Sequence, residues 1–581
     1  MKSDLPVTFL TWPQVIRFLF PYLRGYRLKL SLLMAVLLFG VGITYITPQV
    51  QRFFFDEVLL GKNRSAFLPL LLLLGVLFCL RQAIITGSNY WSNRMMAKIG
   101  LDVQSVFSGH LLRLPSHFFD ASGSGYLSSR FSRDLQEMKV LYSPMIFNII
   151  MNVLQFVGGA FFVFYFRWQL FVAALPAALL LYCCNRYFVR RQFEISCRQQ
   201  EARACAGGKL QESLQNIRLV KTSASEQKTH IELTGQFEEI YKLSLSNLKL
   251  ATIRRSALHG VPGIFKGCLL ALCAWYVVAG ELTVGELVAL NTYLSMMLSP
   301  AVAFSANENS LQQGRAAAAR LKELIEQLPE EHLDAGLEVT RLTGEIQFDQ
   351  VSFSYLPEKK VLDRVSFQLW PGSKTALVGP SGSGKSTIGA LLIGLYQAES
   401  GKILLDHYPI EEFCLRSLRN RIGYVNTSAQ LFNDTFAYNL RFGNPALSDA
   451  AIWSMLQRTC PDLCLEGAEA TLRRKVGEGG TTLSAGQRLR LTITRELLRQ
   501  PDILILDEPS STLDNESERR LLRLLQQECS AITVLLITHR PALMAFADRI
   551  LVLENGRLTG DGTRETLLAG NEMFQSLYRN G

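Results

Sequence analysis

The stretch Gly379-Pro380-Ser381-Gly382-Ser383-Gly384-Lys385-Ser386-Thr387 follows a short apolar run, Thr375 to Val378, and opens an apolar helical segment, Ile388 to Leu395. Strand, glycine loop and helix in that order are what a triphosphate needs. Gly382 and Gly384 let the backbone turn its N–H groups inward around a β-phosphate, and the helix N-terminus adds positive potential. Lys385 is placed to reach the β- and γ-phosphates, and the Ser386 hydroxyl to ligate Mg²⁺. Downstream, Ile503-Leu504-Ile505-Leu506 reads as a buried strand ending in Asp507, a carboxylate positioned to hold the metal. Glu508 follows where it can polarise an attacking water. Another strand, Leu535 to Thr538, delivers His539, a candidate γ-phosphate contact.

Outward from this site, short β-branched runs alternate with helical stretches and glycine turns from about Thr340 onward, which predicts an α/β P-loop domain of roughly 240 residues. The other half has a different composition. The 581 residues carry 60 basic and 50 acidic side chains, a net charge of +10, and are 48% hydrophobic but only 19% charged. That is below the roughly 25% charge of soluble domains, and the shortfall sits in the first half. A disordered tail or a collagen-like fibre is excluded. Six runs meet the about 20 apolar residues a membrane helix requires: Leu30 to Val50, Ala66 to Gly87, Leu141 to Phe166, Trp168 to Phe188, Leu258 to Ala279 and Thr283 to Val302. The expected fold class is a membrane α-helical bundle of six transmembrane helices joined to the α/β domain. The eleven cysteines show neither disulfide nor zinc spacing, so Cys460 and Cys464 read as buried thiols.

The first residues are acidic and polar rather than those of a cleavable signal. Trp12, Val15, Ile16, Leu19 and Leu23 recur at helical spacing, with Thr11 as cap and Pro13 in the first turn, which predicts a short interfacial helix or an ordinary amphipathic one. Lys and Arg crowd the segments before span one, between spans two and three, and between spans four and five. Those segments, the N-terminus and everything after span six are therefore expected to be cytoplasmic. The two long loops, roughly fifty and seventy residues, are rich in helix formers and should extend the spans beyond the bilayer. The expected domains are an N-terminal segment (1–29), a transmembrane domain (30–310), a helical linker (311–339) and a nucleotide-binding domain (340–581).

Taken in order and spacing, these residues resemble the ATP-binding cassette (ABC) superfamily. Leu483-Ser484-Ala485-Gly486-Gln487 looks like its signature motif. Tyr355 lies where the family stacks an aromatic on adenine, Ser511 to Asp514 resembles the dimer-contacting D-loop, and Val476-Gly477-Glu478 matches the exporter-type segment before the signature. Phe118 to Asp120 with Gly125, Leu127, Arg130 and Asp134 is similar to the first coupling region of ABC exporters. Glu212, Val220, Lys221 and Glu226 resemble the second, and Leu282 to Leu290 with Pro300 the sixth span. The resemblance implies a half-transporter with ATP and Mg²⁺ as cofactors, in the bacterial inner (plasma) membrane with cytoplasmic termini. It implies a homodimer in which Ser484 and the Gly486 backbone of one chain face the γ-phosphate held by Lys385 of the other, with Ala485, Gln487 and Asp514 also counted among the nucleotide-binding residues. Contacts with membrane lipid and none with nucleic acid are expected.

Two departures from the family stand out: Thr427 occupies the position of a metal-touching Gln, and Ala485 that of the first signature glycine. Within the spans, Arg81, Lys266, and Asn148, Asn152 and Gln155 are polar groups at membrane depth. If the two cations face a central cavity, they favour an anionic or amphiphilic cargo; alternatively Arg81 snorkels. The expected function is ATP-driven export of a small peptide, lipid or amphiphile. One subunit of a heterodimeric exporter, or an ATP-gated member that does not pump, are the alternatives.

Overall fold

The computed structural model describes residues 10–122, 124–356, 359–426, 429–509 and 513–580. Two compact units arise, Met1–Leu111 with Gly125–Gln327, and Leu112–Ser124 with Leu328–Gly581. The helices in chain order are α1 (Trp12–Leu23), α2 (Arg27–Phe53, continued by a π-type turn over Phe54–Leu60), α3 (Arg64–Leu111), α4 (Ser116–Ser122), α5 (Ser124–Met138), α6 (Pro144–Phe166), α7 (Trp168–Gln215), α8 (Ile217–Thr222), α9 (Glu226–Val278) and α10 (Val284–Ile325).

The six expected spans fall on α2, α3, α6, α7, α9 and α10. Among the described residues, four helical stretches are long and apolar enough to cross a membrane: Trp12–Leu60, Arg64–Leu111, Phe131–Phe166 and Glu226–Val278. With 48 residues each, α3 and α7 run about 72 Å, more than twice the thickness of a hydrocarbon core. The polar, helix-favouring loops extend the spans, as their composition predicts. Span three starts late, at Pro144, because Ser143 caps the helix by accepting from Met145 N–H at 3.3 Å.

At one end of this unit, Val15 and Leu19 of α1 pack with Ile99, Val103 and Phe107 of α3 and Leu321 of α10. Helix α1 starts where Thr11 N–H donates to Gln14 Oε1 at 2.8 Å. It turns one apolar face into the protein and leaves Ile16 and Phe20 exposed. Nearby, the Asp134 side chain, only 3% exposed, accepts from Arg320 Nη2 at 2.6 Å, and the same guanidinium reaches Glu137 at 3.3 Å. At the other end, Tyr293, Leu290 and Leu294 of α10 meet Val163 of α6, Leu170 of α7 and Cys273 of α9. There the Asp56 carboxylate accepts from Thr283 Oγ1 at 2.6 Å and Gly285 N–H at 2.8 Å, while Arg52 pairs with Glu286 at 2.8 Å. An acidic group on the first N–H groups of a helix satisfies orphan donors and complements its dipole.

Helix α6 approaches α10 at Gly159, where a Cβ would lie 2.9 Å from both Met297 N and Tyr293 O. Those are backbone atoms and cannot swing aside. Gly159→Leu is expected to destabilise the membrane unit by about 2 kcal/mol or more. Gly75→Leu, which faces open space, should leave the melting temperature in detergent unchanged; equal melting of both variants would contradict this packing.

The second unit contains two sheets. Strands β1 (Ile346–Leu356), β2 (Lys359–Leu369), β4 (Ser400–Leu405) and β5 (Tyr408–Pro409) form an antiparallel sheet in the order β2-β1-β4-β5. Strands β3 (Lys374–Val378), β6 (Ile422–Val425), β7 (Ile503–Asp507), β8 (Thr533–Ile537), β9 (Arg549–Glu554) and β10 (Arg557–Gly562) form the other, in the order β10-β9-β3-β8-β7-β6. All its pairs are parallel except β10 with β9. Strands β3, β7 and β8 are buried throughout, which is why they read as unbroken apolar runs. Ten cysteines among the described residues are free; Cys460 is buried and Cys464 half-buried, while Cys79 and Cys268 are exposed on their helices.

Candidate nucleotide site and membrane cavity

Parallel pairing brings the carboxyl ends of β3, β7 and β8 to one edge, because Leu377 and Asp507 are both in register with Ile537. Ligands of open α/β sheets bind at such edges. Val378 runs into the glycine loop, and α11 (Lys385–Leu392) begins inside it. Gly384, the residue before α11, has φ 102°, a left-handed conformation that glycine adopts without strain. Lys385 is buried, and its ammonium donates to the carbonyls of Gly379 and Pro380, both at 2.8 Å. Burial pulls its pKa down, while the Glu508 and Asp507 carboxylates oppose that shift. Among the described residues the buried Ser383 Oγ has no hydrogen-bond partner. With Gly379, Pro380, Ser381 and Gly382 around it, this hydroxyl is a spare donor suited to a phosphate oxygen.

Ser386 Oγ donates to Asp507 Oδ1 at 3.0 Å. A hydroxyl and a carboxylate side by side are hard oxygen ligands of the kind Mg²⁺ takes. Burial raises the Asp507 pKa, the Ser386 and Tyr424 hydrogen bonds lower it, and the Glu508 charge raises it further. Tyr424 OH donates to Asp507 Oδ2 at 3.3 Å, and burial followed by the Asp507 charge pushes its own pKa up. Glu508 holds φ 48°, unusual for a residue with a side chain, and its N–H donates to Ile537 O at 2.8 Å. Strain of this kind persists where neighbouring structure enforces it and clusters at functional sites. One residue beyond Thr538, whose N–H reaches Leu377 O at 3.2 Å, His539 is exposed. Tyr355 shares a 3.1 Å hydrogen bond with Thr387 Oγ1 and is half exposed. Phe353 and Tyr396 meet its ring edge-to-face at 4.9 and 5.1 Å.

Ser484 caps the helix Ala485–Leu497: its N–H donates to Gln487 Oε1 at 3.0 Å and its Oγ accepts from Gln487 N–H at 3.2 Å. Gly486 is packed so closely that a Cβ would come within 2.7 Å of Ser517 Oγ. Ala485 is the first helical residue and half-buried, so the extra methyl falls where one is tolerated. Asp514 caps the neighbouring helix Asn515–Glu528, and hydrogen bonding, first from Ser517, holds its carboxyl below the usual range. Thr427 and Ser511 lie outside the described residues.

Three residues at the site escaped the sequence reading: Tyr424, Asp462 and Arg490. The Arg490 guanidinium donates to Asp462 at 2.7 and 2.8 Å, and Gln487 Nε2 donates to the same carboxylate at 3.1 Å. No local pattern announces Asp462; only the period-two alternation of β6 places Tyr424 on a face opposite its neighbours.

In the membrane unit a cavity of about 420 Å³ is lined by Arg81, Asn89, Asn148, Asn152 and Gln155 and by Leu37, Val41, Ile84 and Met151. Lys266 does not line it; its ammonium donates to Ser295 Oγ at 2.7 Å on α10.

Comparisons with known proteins match both halves. Residues 30–301 fit the family model described as the ABC transporter transmembrane region, and 362–511 the one described as ABC transporter. An ATP-dependent lipid A-core flippase of Pectobacterium atrosepticum is 28% identical over 98% of this chain and 98% of its own. A Legionella pneumophila lipid A-core flippase is 29% identical over 100% of this chain and 98% of its own. A bacterial Atm1-family ABC exporter solved with ATP bound superposes with a TM-score of 0.84 at 25% identity, covering 95% of this chain and 98% of that one.

Proposed function

Because this chain belongs to the ABC transporters, as an exporter-type half-transporter that couples ATP hydrolysis to export, we propose that two copies of it act together on an amphiphile with an anionic head. The chain is an integral membrane protein. Placement in a bacterial inner membrane, supported by the bacterial sources of its relatives, and cytoplasmic termini, supported by the loop charges, belong to the same proposal. So do the domain limits 1–29, 30–310, 311–339 and 340–581.

In the proposed cycle Lys385, Ser383 and the loop N–H groups hold the phosphates. Tyr355 offers its ring to the base, and Ser386 with Asp507 would hold Mg²⁺, which would supply charge neutralisation for the phosphates. Glu508 orients and polarises water, and His539 contacts the terminal phosphate. Ser484, held by Gln487, and the Gly486 backbone complete the partner's site. Lys385 is free to serve once it exchanges its two carbonyl acceptors for phosphate oxygens, which are stronger acceptors for an ammonium.

One observation carries the cargo assignment: a cation and several amides share a cavity with aliphatic side chains. At about 420 Å³ the space suits a head group rather than a whole lipid, leaving acyl chains in the bilayer. Flippase relatives named for lipid A-core support a lipid-like cargo. Lys266, engaged with Ser295, is proposed to act from α9 as a second cation when α10 shifts. In nanodiscs, anionic lipids should stimulate ATPase activity, and Arg81→Ala should reduce that stimulation several-fold while basal turnover stays within about twofold. Equal stimulation of both proteins by every anionic lipid tested would remove the assignment. Transport into sealed vesicles against a gradient separates pumping from gating, and the mass of the purified active chain separates a homodimer from a heterodimer.

A further inference from the structure

The second unit takes in the chain from the membrane helices at two connections, Leu112–Ser124 and the segment after Leu328. Both meet at one residue, the first through the Glu330 backbone and the second by containing it. Glu330 N–H donates to Arg113 O at 2.7 Å, and the Glu330 carboxylate accepts both arms of Arg419, at 2.9 and 2.5 Å. The side chains are 13% and 26% exposed, so this bidentate pair is partly withdrawn from water. Asp334, four residues on, adds bridges to Arg416 at 2.7 Å and to Arg113 at 3.5 Å.

The other edge of the Arg419 guanidinium faces α11. Its Nε donates to Ile393 O at 3.0 Å and its Nη2 to Gly394 O at 2.8 Å. These carbonyls follow the last turn of α11, where backbone acceptors lack helical partners and a cation complements the dipole. Arg419 thus binds the far end of the short helix whose first residue is Lys385. Eight residues span about 12 Å. A helix that short and that buried moves as a rigid rod.

We propose that the Glu330–Arg419 pair is a positioning clamp that ties movement of the phosphate loop, through α11, to the two connections leading to the membrane helices. Glu330 touches no substrate and acts through Arg419. Fork-to-fork geometry explains why an arginine and a carboxylate are needed: a lysine makes one point contact and cannot hold the carbonyls and the carboxylate together. This inference rests on ATP hydrolysis driving the membrane helices, and its test keeps the two apart.

The full chain in nanodiscs is compared as wild type, Glu330→Gln and Glu330→Asp. The readouts are ATPase kcat and KM, and amide hydrogen exchange in residues 95–111 and 311–327 with and without MgATP and vanadate. Glu330→Gln leaves Arg419 on the carbonyls of α11, so kcat and KM should stay within about twofold of wild type. The vanadate-induced change in exchange should fall to less than half, with Glu330→Asp in between. A full exchange response in Glu330→Gln overturns the clamp. Loss of nucleotide binding in both variants also overturns it, since the pair would then be a fold staple. A wild type that shows no exchange response would instead count against ATP-driven movement itself.

Discussion

Glu508→Gln is expected to lower ATP turnover by roughly 10² to 10⁴-fold, the range over which a positioned general base contributes, while ATP stays bound. The substitution is nearly isosteric and keeps the backbone bond from Glu508 N–H to Ile537 O at 2.8 Å and the strained φ of 48°. Lys385, Ser386 and Asp507 are untouched, so binding and metal capture should persist and the protein should accumulate with nucleotide trapped. Retention of labelled ATP through a desalting column, set against phosphate release, measures both halves. Turnover within tenfold of wild type would place the base on another residue.

The second large effect is on stability. Asp462→Ala removes both acceptors of the Arg490 fork, and the Arg490 side chain is only 4% exposed. A buried charge stripped of its partner costs about 3 to 5 kcal/mol. For a domain of this size each kcal/mol moves the melting temperature by about 2–4 °C, so a drop near 10 °C is expected. Arg520, whose Nη1 lies 3.8 Å from the same carboxylate, cannot compensate because it is also a cation. Gln487 loses its anchor as well, so residual ATPase at permissive temperature should need more ATP. Asp462→Asn keeps one acceptor and should fall between. A melting curve unchanged in Asp462→Ala would mean that Arg490 finds another acceptor.

Sequence made the phosphate loop and the Asp507–Glu508 pair legible because their chemistry is local. Each group lies at the end of an apolar run, and parallel pairing of β3, β7 and β8 then brings the ends together. The six apolar runs were also open to reading and all fall on long helices, although among the described residues only the four stretches carrying the first, second, third and fifth runs are apolar enough by length and composition to cross a membrane. Tyr424 and Asp462 were not legible. Their partners lie 83 residues away for Tyr424 and 25 to 28 for Asp462, and nothing in either neighbourhood signals an acceptor across the fold. Helix α1 is an intermediate case: its apolar spacing was visible, but which residues α3 and α10 would cover depends on tertiary packing. Arg81 and Lys266 looked alike as isolated cations in apolar runs, yet only Arg81 lines the cavity and Lys266 is engaged by Ser295.

The grip of Asp56 on the first residues of α10 has a mechanical consequence. With Thr283, Gly285 and the Arg52–Glu286 bridge, it rivets the ends of α2 and α10 into one joint. From that joint to Ile325 the helix has 42 residues, a lever of about 63 Å. A tilt of α10 about this rivet of only a few degrees would become ångströms of travel at the opposite tip.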